Sequence, residues 1–169
     1  PDGYRLAQRA VGVAGRLGLP VVTLVDTPGS DPSPRSEADG LALEIAQTFR
    51  ALADCPTPVV SVCVGEGGRG GAGARGDAGR VRRGGAAAAS VGGPEGAAAI
   101  LERDLAGAAG VADRLLLTSR DMLALGIVDD VIAEGQAALD AAVGAAMETA
   151  VAGEREARFD RVTSRWLDA

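Results

Sequence analysis

Between Tyr4 and Leu17 the apolar residues Leu6, Ala10, Val11, Val13, Ala14 and Leu17 return every three or four positions, and Gly18 closes the run. That spacing predicts a helix with a glycine stop. LPVVTLVDTPG, Leu19 to Gly29, is apolar almost throughout and ends in a Pro-Gly turn, the pattern of a strand covered on both faces. After a polar loop to Arg35, Ser36 with Asp39 three residues on resembles a capping box, and Leu41, Ile45, Phe49 and Leu52 mark one face of a helix ending near Ala53. PVVSVCV, Pro58 to Val64, is again short, β-branched and apolar. Strand, helix, strand in that order predicts parallel pairing.

Beyond a glycine-rich tract, PEGAAAIL opens a helix at Pro94, with Pro in the first turn and Glu95 favourable to the helix dipole. GVADRLLLTSRDMLALGIVDDVIAEG predicts a helix, a new cap at Thr118, a helix to Leu125 closed by Gly126, and a strand from Ile127 to Ile132. Gln136 to Leu167 reads as helical, first Ala-rich and then charged, and no internal repeat is evident.

Composition narrows the chemistry. The 169 residues fit about one domain with a real core. Apolar residues make up 47% and aromatics 2%, so the core packs with small side chains. All 17 basic residues are Arg and no His occurs. That excludes a P-loop lysine, a Schiff base, a biotinyl-lysine, a Ser/His/Asp triad and a histidine zinc site on this chain. A net charge of -6 argues against a general nucleic-acid or anionic-membrane binder. Cys55 and Cys63 lack CxxC spacing and read as reduced packing residues, which fits a cytoplasmic protein. No apolar run reaches the roughly 18 residues of a membrane span, and PDGYRLAQ lacks a signal-peptide core. Beginning at Pro1 without Met, the sequence reads as a processed product or a piece of a longer chain.

GEGGRGGAGARGDAGRVRRGG, Gly65 to Gly85, follows the second predicted strand directly. Gly65, Gly67 and Gly70 fit the dinucleotide pattern G-x-G-x-x-G, but GGAAAASV stands where the acidic ribose ligand belongs. The Arg and Gly alternation resembles an RGG segment without the aromatics that stack bases. Arg75-Gly76-Asp77 matches an adhesion triplet that chance accounts for, and a flexible linker is the bland alternative. Against the linker stands the order of strand, glycines and helix, which suits a sharp turn presenting backbone N–H groups to an oxyanion.

PDGYR, LPVVTLVDTPG, the Ser36-Glu37-Ala38 neighbourhood, PVVSVCVGEGGRGGA, PEGAAAIL and ALGIVDDVI together resemble the carboxyltransferase alpha subunit of bacterial acetyl-CoA carboxylase, in that family's order from Pro1 to about Glu134. The resemblance implies an α/β, crotonase-like (ClpP/crotonase) spiral of β-β-α units, N-terminally truncated relative to the family. It divides the chain into a core over 1–134 and a C-terminal helical extension over 135–169. It implies a hetero-oligomer with a carboxyltransferase beta subunit or beta-like domain, and carboxyl transfer from carboxybiotin, held on a separate biotin carboxyl carrier protein, to acetyl-CoA or another acyl-CoA. No metal on this chain, no nucleic acid and no membrane are implied. The family's biotin-side oxyanion hole maps to the backbone of Gly70, Gly71 and Ala72, with Gly67 and Gly68 shaping the turn. Pro28, Gly29, Glu95 and Gly96 are the further substrate-binding candidates. Asp26 and Thr27 line a pocket or simply end a strand, and Asp129 with Asp130 reads as a surface pair. A biotin-linked malonyl- or acyl-CoA decarboxylase relative and a non-catalytic assembly subunit are the alternatives.

The chain departs from the family in three places. Arg69 stands where Ser is usual, and either attracts an anionic carboxylate or obstructs the pocket, obstruction being favoured. Gly73, Arg75, Arg82 and Arg83 replace apolar packing residues, so 73–93 is expected to be weakly ordered or degenerate, or to carry a frameshifted stretch. Strands that precede PDGYR in the family are missing, which leaves sheet edges to be closed by a partner or by further residues.

Overall fold

The computed structural model describes residues 1–27, 29–67, 80–85, 87, 94–101, 103, 105–116, 118–152, 157–158, 160–161 and 163–164, with 80–83, 94, 96 and 105 described by their backbone alone. In chain order the elements are α1 (Asp2–Leu17), β1 (Val21–Thr27), α2 (Pro34–Ala38), α3 (Leu41–Ala53), β2 (Val59–Gly67), β3 (Arg80–Gly84), α4 (Pro94–Leu101), a 3-10 turn (Leu105–Gly107), α5 (Ala108–Leu115), α6 (Ser119–Ala124), β4 (Asp130–Ile132) and α7 (Gln136–Thr149).

The strands form one sheet in the order β1-β2-β3-β4, every neighbouring pair parallel. Val21 pairs with Val59 and Leu24 with Val62, so side chains alternate between two covered faces at the centre. On one face Val59 packs with Val11 of α1, Leu52 of α3, Cys55 and Val128. On the other, Val60 and Val62 meet Ile132 and the small residues Ala142 and Ala146 of α7. Val59, Val60, Val62 and Cys63 are fully buried, as a central strand with helices on both faces requires. Among the described strands β1 is an edge, and its Val22 and Leu24 remain exposed beside the α7 face.

Several sequence expectations change. Helix α1 ends as predicted, Gly18 capping it at φ 68, but its inward face runs through Gln8 and Val11, while Leu6, Val13 and Leu17 point outward. Ser36 is not the cap. Ser33 is, its hydroxyl accepting from Ser36 N at 3.2 Å, with Pro34 opening α2. A separate helix, α3, then starts after Gly40, and its buried line is Leu41, Glu44, Thr48 and Leu52, with Ile45 and Phe49 half-buried. The strand expected from Ile127 shortens to Asp130–Ile132, because Ile127 and Val128 N–H groups turn back onto the Met122 carbonyl. Inside the tract expected to be weak, Arg80–Gly84 forms β3 between β2 and β4; residues 73–79, 86 and 88–93 of that tract lie outside the described residues.

Candidate active site at the carboxyl ends of β1 and β2

Parallel strands all deliver their following loops to one end of the sheet, where ligand sites of such sheets gather. At that end Thr27 of β1 pairs with Gly67 of β2. The Thr27 hydroxyl donates to Gly29 O at 3.0 Å and accepts from Gly29 N at 3.2 Å. Gly29 sits at φ 146, a conformation that side chains rarely adopt. Gly29 and Gly67 are thus brought to one sheet end through Thr27.

The pairing slips just before this point. Val25 to Thr27 advances two residues while Cys63 to Gly67 advances four, so Val64, Gly65 and Glu66 bulge opposite Asp26. Bulges of this kind re-aim a chain and recur beside active sites. Asp26 accepts the Glu66 N–H at 3.0 Å, and a Cβ on Gly65 would overlap that same carboxylate. The Cys63 thiol donates to Gly65 O at 3.4 Å.

A cleft of about 770 Å³ opens between α1, α3 and the end of β1, with Tyr4, Asp26, Thr27, Gly29 and Phe49 among its lining. Partial burial raises the Tyr4 phenol above its ordinary pKa, which keeps it neutral. Thr23 Oγ1, in the lining, is buried without a hydrogen-bond partner. At the rim, Asp31 is held below the usual carboxylate range by the Ser36 hydroxyl at 2.6 Å, then by the Ser33 hydroxyl at 2.8 Å and amide at 3.0 Å. The helices flanking the cleft are tied by Glu44, whose carboxylate takes Gln8 Nε2 at 3.0 Å and Arg5 Nε at 2.8 Å. Those bonds, the one from Gln8 foremost, lower its pKa.

Of the sequence-predicted residues, Gly67 and Gly29 lie here; Glu95 is exposed in the first turn of α4, and Gly96 follows it in that helix. Pro28, Gly68, Gly70, Gly71 and Ala72, and Arg69 with them, lie outside the described residues. Asp26 bridging to Glu66 was not anticipated; its signal was the carboxylate closing an apolar strand one residue before Thr-Pro-Gly. Among the described residues no cluster of three His, Cys, Asp or Glu side chains could hold a metal ion, and no helix is long and apolar enough to cross a membrane.

Residues 1–158 match the family model "Acetyl co-enzyme A carboxylase carboxyltransferase-like". The chain is 52% identical over 134 residues to the acetyl-coenzyme A carboxylase carboxyl transferase subunits beta/alpha of Salinispora arenicola (strain CNS-205), covering 79% of this chain and 24% of that protein. It is 42% identical over 182 residues to the subunit alpha of Rubrobacter xylanophilus, covering 97% and 57%. This chain therefore spans between about a quarter and just over half of such curated relatives. Among solved structures, a transcarboxylase 12S with methylmalonyl-coenzyme A bound superposes with TM-score 0.77 at 26% identity over 86% of this chain and 30% of its own. A Pseudomonas malonate decarboxylase hetero-tetramer in complex with coenzyme A has the same TM-score at 18% identity, covering 96% and 73%.

Proposed function

The chain belongs to the acetyl-CoA carboxylase carboxyltransferase-like family and has the crotonase-like α/β fold, and from that membership we propose that it is the alpha-type half of an acyl-CoA carboxyltransferase. The proposed reaction moves a carboxylate from carboxybiotin, on a separate carrier protein, to acetyl-CoA, forming malonyl-CoA for fatty acid synthesis. A beta-type subunit or domain supplies the thioester-facing half, and the assembly works in the cytoplasm. The match across 1–158 carries this reading.

The cleft at the end of β1 is the proposed seat of the ureido ring of the carried biotin. The cleft has the volume of a ligand site, and its unpartnered Thr23 hydroxyl is a donor without an acceptor. Carboxybiotin, when bound, supplies the carboxylate and a ureido nitrogen able to take a proton. The chain's proposed part is electrostatic: the backbone N–H groups of Gly70, Gly71 and Ala72, with Gly67 and Gly68 as the turn residues, are the donors assigned by the family motif to the oxygen on which charge develops. One such donor is worth about 2.7–4 kcal/mol of barrier. Pro28, Gly29, Glu95 and Gly96 complete the proposed binding surface. Fixed backbone donors need no titrating side chain, which agrees with a chain lacking His and Lys.

Co-expression with a beta-type subunit, followed by malonyl-CoA-dependent carboxylation of biocytin, tests the proposal. Turnover that neither subunit gives alone is the expected result. A stable complex without turnover overturns it in favour of a purely assembling role, for which Arg69 in the glycine turn is the sequence feature to examine.

A further inference from the structure

We propose that Asp26 is a positioning residue for the glycine turn, acting through the bulge at the end of β2. The inference rests on the reading of Gly70 to Ala72 as oxyanion donors. A carboxylate ending a strand commonly serves its own turn, but that turn is held by the Thr27 hydroxyl on Gly29. The Asp26 carboxylate instead crosses to the neighbouring strand and takes Glu66 N–H at 3.0 Å. Three residues of β2 stand opposite it in the slipped register, so Asp26 replaces a ladder bond that the bulge has removed. The three atoms nearest a Cβ at Gly65 all belong to the Asp26 carboxyl group. A Cβ at Gly65 would therefore push the Asp26 carboxylate away from its bond to Glu66. With the Cys63 thiol on Gly65 O, one carbonyl and one amide of the bulge are fixed, two residues and one residue before Gly67. A bond that aims backbone donors changes the rate of the chemical step more than substrate affinity.

The test uses the chain in complex with a beta-type subunit, comparing Asp26→Ala, Asp26→Asn, Gly65→Ala and the double variant. Asp26→Ala is expected to lower kcat about tenfold with KM for malonyl-CoA within about twofold, and to speed exchange of the Glu66 amide hydrogen about tenfold. Asp26→Asn, which keeps an acceptor oxygen, recovers kcat to within about threefold of the parent. Gly65→Ala accelerates Glu66 exchange in the parent but adds nothing in the Asp26→Ala background, where the Cβ has room. Unchanged Glu66 exchange in Asp26→Ala, or full additivity of the two substitutions, overturns the inference. An inactive parent complex overturns the proposed function instead, while Glu66 exchange and the additivity measurement still decide whether Asp26 positions the bulge.

Discussion

Ser119 is almost wholly buried, and its hydroxyl oxygen lies 2.8 Å from Gly84 O and 3.2 Å from both Gly85 O and Ala87 O. One proton shared among three carbonyls ties the end of β3 to the start of α6. Ser119→Ala leaves those oxygens without this donor, and the urea-unfolding free energy should fall by about 1–3 kcal/mol. Glu44 gives a pH signature of its own. Its folded pKa is lowered by Gln8 and Arg5, so the unfolded chain takes up a proton first as pH falls. The contribution is complete above the ordinary carboxylate value of about 4.3 and is lost as pH drops through the lower folded value. Melting temperature across that acid limb should fall more steeply in the parent than in Glu44→Gln, and parallel curves would refute the assignment.

At the scale of elements, α5 and α6 meet at a strained joint followed by a strong cap. Leu116 ends α5 at φ 52, in the left-handed region, while its side chain is substantially exposed. Leu116→Gly should raise stability by about 1 kcal/mol by removing that strain. Thr118 then caps α6 in a reciprocal box with Asp121. Thr118→Ala should cost about 1 kcal/mol in the same denaturation assay. Thr118 was legible in the sequence because Asp121 stands three residues on; β1, β2 and α4 were legible from apolar runs bounded by Pro and Gly. Strand β3 was not, since RVRRG carries the composition of a loop. Its pairing lies in backbone groups, which a pattern of side chains does not report. Ser36 offers the capping-box spacing, with Asp39 three residues on, yet Ser33 is the cap, and Pro34 immediately after it marks a first helical position. In the site, the family's motifs name Gly29 and Gly67 among the candidates; the sequence shows Asp26 near the end of an apolar strand, but its bridge to Glu66 follows from a register slip that only coordinates reveal.

Among the described residues the molecule is fastened at one side of the sheet and leaves a strand edge at the other. Arg158, buried near the far end of the chain, bonds the Ile127 carbonyl and Asp129 Oδ2, the latter at 3.3 Å, and so fastens the last described helical residues beside β4. Arg158→Ala should cost about 1.5–3 kcal/mol, measured by thermal or urea unfolding. On the opposite side β1 leaves Val22 and Leu24 exposed at an edge, the kind of surface that pairs with other chains. The two thiols divide the interior along the strands instead. Cys55 belongs to the cluster under α1 and α3, whereas Cys63 sits with Val25 and Ala87 at the bulge, and both are buried thiols that are not joined in a disulfide. With no other cysteine in the chain, brief alkylation of the folded protein becomes a two-channel clock. Cys63 modified ahead of Cys55 would time the opening of the sheet's carboxyl end, and simultaneous modification would time the collapse of the molecule as one unit.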